Sequence, residues 1–274
     1  MIGYLGPQGT FSHLAASQYY MNTPMLAYAS IHALIRAVSL AEIDAAIVPA
    51  ENSIEGGVNA TLDALYEYKN LSITGELILP IRQNLLARRG VTPGEIVRII
   101  SHPQSIAQCS QMLERDFYGV PIEYAASTAS AAKTVALSDE PFAVTGSSEL
   151  VPLYSLEIIK ADCGNEKNNS TRFITLAREP FSGAADKTSV VFELESRPGS
   201  LYEALGVLAR HGINMIKIES RPIKTHLGRY LFFIDMDGDA KGGAVGAALS
   251  ELGSRTEFLR VLGSYKKGDV LFDA

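Results

Sequence analysis

Ile2-Gly3-Tyr4-Leu5-Gly6-Pro7-Gln8-Gly9-Thr10-Phe11-Ser12 is the stretch on which the fold turns. A short apolar run ends in glycine and proline and is followed by hydroxyl residues that can cap a helix starting at about Ser12. It therefore reads as strand, tight turn and helix start. The same grammar recurs along the chain. Short apolar strands are predicted at 45–48, 97–101, 142–145 and 172–176. Between them Ile31, Leu34, Ile35 and Val38 fall at i, i+3, i+4 and i+7, and Val58, Leu62, Leu65 and Tyr66 repeat that stripe. Ile106, Cys109, Leu113 and Phe117 form a third stripe. Each is the buried face of an amphipathic helix, and alternating strands and helices define the α/β class.

The pattern lapses at 178–186 into Pro, Gly and small polar residues, which places a domain boundary there. Beyond it Val190, Phe192 and Leu194 alternate as a strand, and Pro198-Gly199 starts a helix with Leu201, Ala204, Leu205 and Leu208 on one face. Strands follow at 213–220 and 230–236, then a helix with Val245, Ala248, Leu249 and Leu252, then a strand at 258–264. The order βαββαβ is the ferredoxin-like, α+β arrangement.

The chain has 274 residues, a length that suggests about two domains. Apolar residues make up 47% and charged residues 20%, enough apolar content to build a core and too much for a disordered chain. The formal net charge is −6, and basic residues cluster only as pairs such as Arg88-Arg89 and Lys266-Lys267, which argues against nucleic acid. The first residues lack a basic n-region, and no apolar run approaches the roughly 18–20 residues that cross a bilayer. A cytoplasmic protein without membrane contact is expected. Cys109 and Cys163 have neither CxxC spacing nor matching histidines, so reduced thiols are expected, with no disulfide and no metal.

In open α/β sheets ligands collect where strands end and helices begin. Several of these junctions are rich in small polar residues. The 6–12 loop offers backbone N–H groups and hydroxyls to an anion, although taken alone it reads first as a plain helix cap. Pro49-Ala50-Glu51-Asn52-Ser53-Ile54-Glu55-Gly56-Gly57 is richer than a turn needs. Ser101-His102-Pro103-Gln104-Ser105 places Pro in a first helical turn, and His102 reads as a capping or packing residue. Ser127-Thr128 and Thr145-Gly146-Ser147-Ser148 read as caps that can double as donors. Asn168-Asn169-Ser170-Thr171-Arg172-Phe173 runs into a strand, where an arginine needs an anionic partner. Without a nucleotide loop or Ser-His-Asp spacing, such a set suits a small organic anion.

Taken in order, these segments resemble the motifs of the prephenate dehydratases over residues 1–180, with Ala50 where the family usually has a branched aliphatic residue. Residues 187–274 resemble an ACT domain. There, Gly199-Ser200-Leu201-Tyr202 replaces the common Gly-Ala-Leu-Val, and Glu219-Ser220-Arg221-Pro222 matches a second motif. The earlier Glu195-Ser196-Arg197-Pro198 reads as a coincidental repeat. The resemblance implies a two-lobed, periplasmic-binding-protein-like catalytic domain followed by a ferredoxin-like ACT domain. It implies conversion of prephenate to phenylpyruvate, CO2 and water by a monofunctional enzyme without cofactor, with L-phenylalanine as effector and a homodimer or homotetramer as the assembly. Arogenate dehydratase is the alternative, and a solute-binding or sensing protein a more distant one.

By the same resemblance, Thr171 is the catalytic residue, donating to the departing hydroxyl with Glu51 or His102 as a possible proton relay. Thr10, Asn52, Ser53, Gln104, Ser127, Thr128, Arg172 and Phe173 would contact substrate. Arg172 is expected to clamp the pyruvyl carboxylate, so that Arg172→Lys would raise KM more than it lowers kcat. Asn52 and Ser53 would meet the ring carboxylate. The effector would sit between paired ACT domains at Gly199, Ser200, Leu201, Tyr202, Asn214, Glu219 and Ser220.

Overall fold

The computed structural model describes residues 1–223 and 228–269. The expected second domain, 187–274, thus includes two stretches, 224–227 and 270–274, outside the described residues.

The first lobe begins with β1 (Ile2–Leu5), α1 (Phe11–Tyr19), β2 (Met25–Tyr28), α2 (Ile31–Ser39), β3 (Ala45–Asn52), the two-residue β4 (Gly56–Gly57), α3 (Asn59–Glu67) and β5 (Ser72–Pro80). The chain then builds a second lobe from β6 (Asn84–Arg88), β7 (Arg98–Ser101), α4 (Pro103–Gln108), α5 (Ser110–Asp116), β8 (Ile122–Tyr124), α6 (Thr128–Leu137), β9 (Phe142–Gly146), α7 (Leu150–Tyr154) and β10 (Leu156–Lys160). It returns as β11 (Ser170–Ala177), which inserts between β3 and β5 to give the order β2-β1-β3-β11-β5. The second sheet runs β10-β6-β9-β7-β8. The two crossings, at 81–83 and 161–169, leave the cleft between sheets at the ends of β3, β5 and β11.

Local chemistry accounts for the elements. Ser30 Oγ accepts from Ala33 N at 3.2 Å and starts α2, whose Leu34, Ile35 and Val38 are fully buried. The stripe Ile106, Cys109, Leu113 and Phe117 is buried together as expected, but on two helices instead of one. The break at Cys109 has a cause: the Asn165 amide N–H donates to Gln108 O at 2.7 Å and its side chain to Ala107 O at 3.0 Å. A neighbouring loop thus takes up carbonyls that would otherwise lack partners.

The third sheet, ordered β13-β14-β12-β15, is made of β12 (Lys187–Glu193), β13 (Met215–Pro222), β14 (Tyr230–Asp237) and β15 (Phe258–Tyr265). Helices α8 (Ser200–Arg210) and α9 (Gly243–Gly253) cover one face, burying Phe192, Ile234, Leu208 and Leu252. The other face lies on the first lobe. Val191, Leu231, Phe233 and Tyr265 share one core with Leu34, Leu62, Leu65 and Ile174, so the third sheet is packed onto the first. Gly263 permits the contact, since a Cβ there would lie 2.2 Å from Ile73 O.

Candidate active site

The loops that the sequence marks as ligand-like meet at the C-terminal ends of β1 and β3 and the N-terminal end of β11. Thr171 lies opposite Asn52 in the β3–β11 ladder and is 9% exposed. Asn52 Nδ2 donates to Thr171 Oγ1 at 3.0 Å and to Asn169 Oδ1 at 2.8 Å. Asn52 Oδ1 accepts the amide N–H groups of Ile54 at 2.9 Å and Glu55 at 3.1 Å, which fixes the following hairpin. Ser53 Oγ accepts from Ser170 N at 3.0 Å and donates to Asn168 O at 3.3 Å, locking the same two segments. Because Asn52 donates to the Thr171 oxygen, the threonine hydroxyl hydrogen is left for another acceptor.

Beside this pair is a cavity of about 690 Å³ between the lobes, lined by Ile54, Glu55, Gln83, Gln104, Asn165 and Asn169 among others. Gln104 Nε2 donates to Glu55 Oε1 at 2.6 Å, a bond from α4 of the second lobe to the hairpin of the first. The second-lobe wall is held by a buried polar chain: Ser105 Oγ donates to Gln83 Oε1 at 2.9 Å and Gln83 Nε2 to Gln108 Oε1 at 2.9 Å. Gln83, Gln108, Asn165 and Glu166 were not singled out from sequence. Gln83 lies in the crossing segment, where a buried amide at 4% exposure carries no periodic signal.

The remaining expected contacts divide. Thr10 is the α1 cap, accepting from His13 N at 3.2 Å and donating to Leu5 O at 3.1 Å. Ser127 caps α6 reciprocally with Ser130, at 3.0 and 3.1 Å, and Thr128 opens that helix. His102 caps α4 through Nδ1, which accepts from Gln104 N at 3.3 Å. Ser147 Oγ donates to Gly9 O at 3.2 Å and ties the 6–12 loop to the second lobe.

Three of the expected residues have protein partners on other faces of the sheet. Arg172 points away from the cleft, because neighbours on a strand alternate in direction. Its guanidinium is engaged by Glu76 at 3.0 Å and Asp235 at 2.8 Å, so the anion that this strand arginine needs is supplied by the protein. Burial opposes its charge, yet Asp235 and Glu76 outweigh that penalty and raise its pKa above the ordinary guanidinium value. Phe173, 2% exposed, packs with Tyr4, Leu14, Ile47, Leu77 and Leu79 and is core. Glu51 shares the outer face with Arg172 and pairs with Lys217 at 3.0 Å.

In the C-terminal domain Gly199, at φ +87°, precedes α8, which Ser200, Leu201 and Tyr202 begin. Tyr202 is 82% exposed. Asn214 Nδ2 donates to Asp237 Oδ2 at 2.8 Å at the far end of α8. With 11 residues in α8, about 16 Å separates the two regions within one chain. Glu219 faces the first lobe, its carboxyl carbon 3.1 Å from where a Cβ on Gly57 would stand, while Ser220 faces outward and is exposed. The two Glu-Ser-Arg-Pro segments differ in reach. Arg197 pairs locally with Glu203 at 2.6 Å, whereas Arg221 reaches Asp63 of α3 at 3.0 Å.

A two-lobed α/β unit with a polar interlobe cleft, joined to a ferredoxin-like sensing module, defines the class. Residues 2–181 match the family description Prephenate dehydratase, and residues 188–254 match the ACT domain. The chain is 38% identical over 281 residues to the prephenate dehydratase of Bacillus subtilis (strain 168), covering 97% of this chain and 98% of that protein. It is 37% identical over 277 residues to arogenate dehydratase/prephenate dehydratase 2, chloroplastic, of Arabidopsis thaliana, covering 96% of this chain and 72% of that protein. The crystal structure of prephenate dehydratase in complex with L-Phe from Arthrobacter aurescens aligns with a TM-score of 0.89 at 36% identity, covering 100% of this chain and 92% of that one. The chain belongs to the prephenate dehydratase family, in the form that carries a C-terminal ACT domain.

Proposed function

We infer that the protein converts prephenate to phenylpyruvate and is regulated by L-phenylalanine through its ACT domain. The carrying observation is the Asn52–Thr171 pair at the cleft, a hydroxyl whose oxygen is already hydrogen-bonded and whose hydrogen is available. In the reaction the bond from ring to carboxylate breaks, CO2 leaves, and the released electron pair completes the aromatic ring. The ring C–O bond breaks at the opposite carbon, and the departing hydroxide takes up a proton to become water. Thr171 hydrogen-bonds that leaving oxygen, and Asn52 holds Thr171 in place. Aromatisation supplies the driving force, so a weakly acidic donor is sufficient. Asn52, Ser53 and Gln104 orient the substrate. A tight cation on the ring carboxylate would stabilise the ground state and slow its loss, and Arg172 faces away from the cleft.

One observation favours arogenate as a second substrate: the carboxylates of Glu55 and Glu166 line the cavity, where an ammonium can meet them. Separate reactions with prephenate and with arogenate, following phenylpyruvate and phenylalanine respectively, decide between the two. Faster turnover of prephenate supports the first reading, and a large preference for arogenate replaces it with the second.

For the effector we assign Gly199, Ser200, Leu201 and Tyr202 of one chain and Asn214, Glu219 and Ser220 of a second, which suits their separation within one chain. Ile216 and Ile218 on the edge strand β13 are 45% and 39% exposed, a face suited to a homodimer or homotetramer. No helix among the described residues is long and apolar enough to cross a membrane, in keeping with a cytoplasmic enzyme.

A further inference from the structure

The strand residues that carry Asn52 and Thr171 each have a charged neighbour. Glu51 and Arg172 stand opposite one another in the β3–β11 register and project to the face away from the cleft. There they enter a cluster of six charges. Glu51, Glu76 and Arg172 come from the catalytic sheet, and Lys187, Lys217 and Asp235 from the ACT sheet. Each charge of one sheet meets its opposite on the other: Lys217 Nζ with Glu51 at 3.0 Å, Lys187 Nζ with Glu76 at 2.7 Å, and Arg172 Nη1 with Asp235 at 2.8 Å. Arg172 also reaches Glu76 at 3.0 Å and Glu51 at 3.4 Å, so it touches all three acids. The side chains of Glu76, Lys187 and Asp235 are only 3%, 6% and 10% exposed. A buried cluster of this kind adds little net stability but is strict about geometry, since displacing one member leaves another charged and unpaired in a dry site.

On the reading of the protein as a phenylalanine-regulated dehydratase, we propose that Arg172 is a positioning residue for Thr171, and that the ion cluster around it transmits displacement of the ACT sheet to the catalytic strand pair. The link is short. Asp235 acts on Arg172, the residue next to Thr171, and Lys217 acts on Glu51, the residue next to Asn52. The Arg221–Asp63 pair and the contact of Glu219 with Gly57 hold the same ACT strand against the elements that follow Asn52. A shift of β13 and β14 that favours effector binding therefore redistributes the partners of both charges and disturbs the Asn52–Thr171 alignment on the reverse face. Coupling of this sort is reciprocal, so substrate must weaken effector binding by the factor with which effector weakens substrate.

The test uses Arg172→Lys and Asp235→Asn in the full chain. For Arg172→Lys, kcat should fall about tenfold or more while KM stays within about twofold, the split expected for lost alignment and not for a lost carboxylate clamp. Asp235→Asn should still bind L-phenylalanine within about threefold of wild type by calorimetry, yet lose at least about half of the maximal inhibition, because binding and transmission are separate steps. Its amides in 170–177 should exchange with solvent faster than those of wild type, and this readout needs no substrate. The proposal is overturned if Arg172→Lys raises KM with kcat intact, or if Asp235→Asn keeps wild-type inhibition and exchange. A wild type inactive on prephenate would refute the function while the exchange comparison still decides the link.

Discussion

The side-chain amide of Asn52 donates to Thr171 Oγ1 at 3.0 Å across two paired strands, and the same asparagine accepts the amide N–H groups of Ile54 and Glu55. One residue thus positions both the Thr171 hydroxyl and the hairpin that carries Glu55 to Gln104 on the opposite lobe. In the mechanism we propose, the hydroxyl is the part the chemistry uses. Thr171→Ala should lower kcat on the order of 10²–10⁴-fold if the hydroxyl assists departure of the ring oxygen. Thr171→Ser should retain more activity. Steady-state rates on both variants check this, and equal losses would assign the role to the methyl group.

Asn52→Ala removes five hydrogen bonds to side chains and backbone at once. Of the partners left behind, Asn169 and Thr171 are buried, so a stability loss of about 1–3 kcal/mol is expected together with a fall in kcat. Chemical denaturation read beside turnover separates the two effects. A variant with full kcat and lowered stability would show that Asn52 only supports the hairpin.

Phe173 is expected to matter for the fold. Its ring is fully enclosed by Tyr4, Leu14, Ile47, Leu77 and Leu79, and truncation to alanine should cost about 3–5 kcal/mol. Phe173→Leu should cost less and keep KM near wild type. A raised KM with unchanged denaturation midpoint would return this residue to the substrate.

The C-terminal domain carries a pH signature. Hydrogen bonds from Arg210 and His211, aided by the Arg255 charge, hold the Glu251 pKa down to about 2. A carboxyl depressed in the folded state stabilises the fold above its unfolded pKa of about 4.3, and that contribution is lost as pH falls toward 2. Glu251→Gln should therefore flatten the fall in melting temperature over this window, and salt should reduce the difference because the site is open to solvent. Parallel curves for wild type and variant would contradict this.

Much of the fold was legible because strand and helix periods differ and each stripe had a buried face to fill. Leu34, Ile35 and Val38, and Ala204 and Leu208, are buried where the pattern put them. The break at Cys109 was not legible, since it depends on Asn165, a residue distant in sequence that inserts its hydrogen bonds there. Direction along a strand explains the largest departure. Thr171, Arg172 and Phe173 are adjacent in the chain, but Thr171 bonds Asn52, Arg172 meets the ACT sheet and Phe173 lies in the core, and only the layers packed on either face of β11 decide which. The charge of Arg172 did point to an anion. That the anion came from Asp235, 63 positions later, required the packing of two domains.

The central claim is tested most directly by mixing the purified protein with prephenate at neutral or mildly alkaline pH, where spontaneous acid-catalysed loss is slow, and following phenylpyruvate with and without L-phenylalanine. The account predicts catalysed formation of phenylpyruvate that L-phenylalanine suppresses. Formation of phenylpyruvate no faster than in the protein-free control would contradict it.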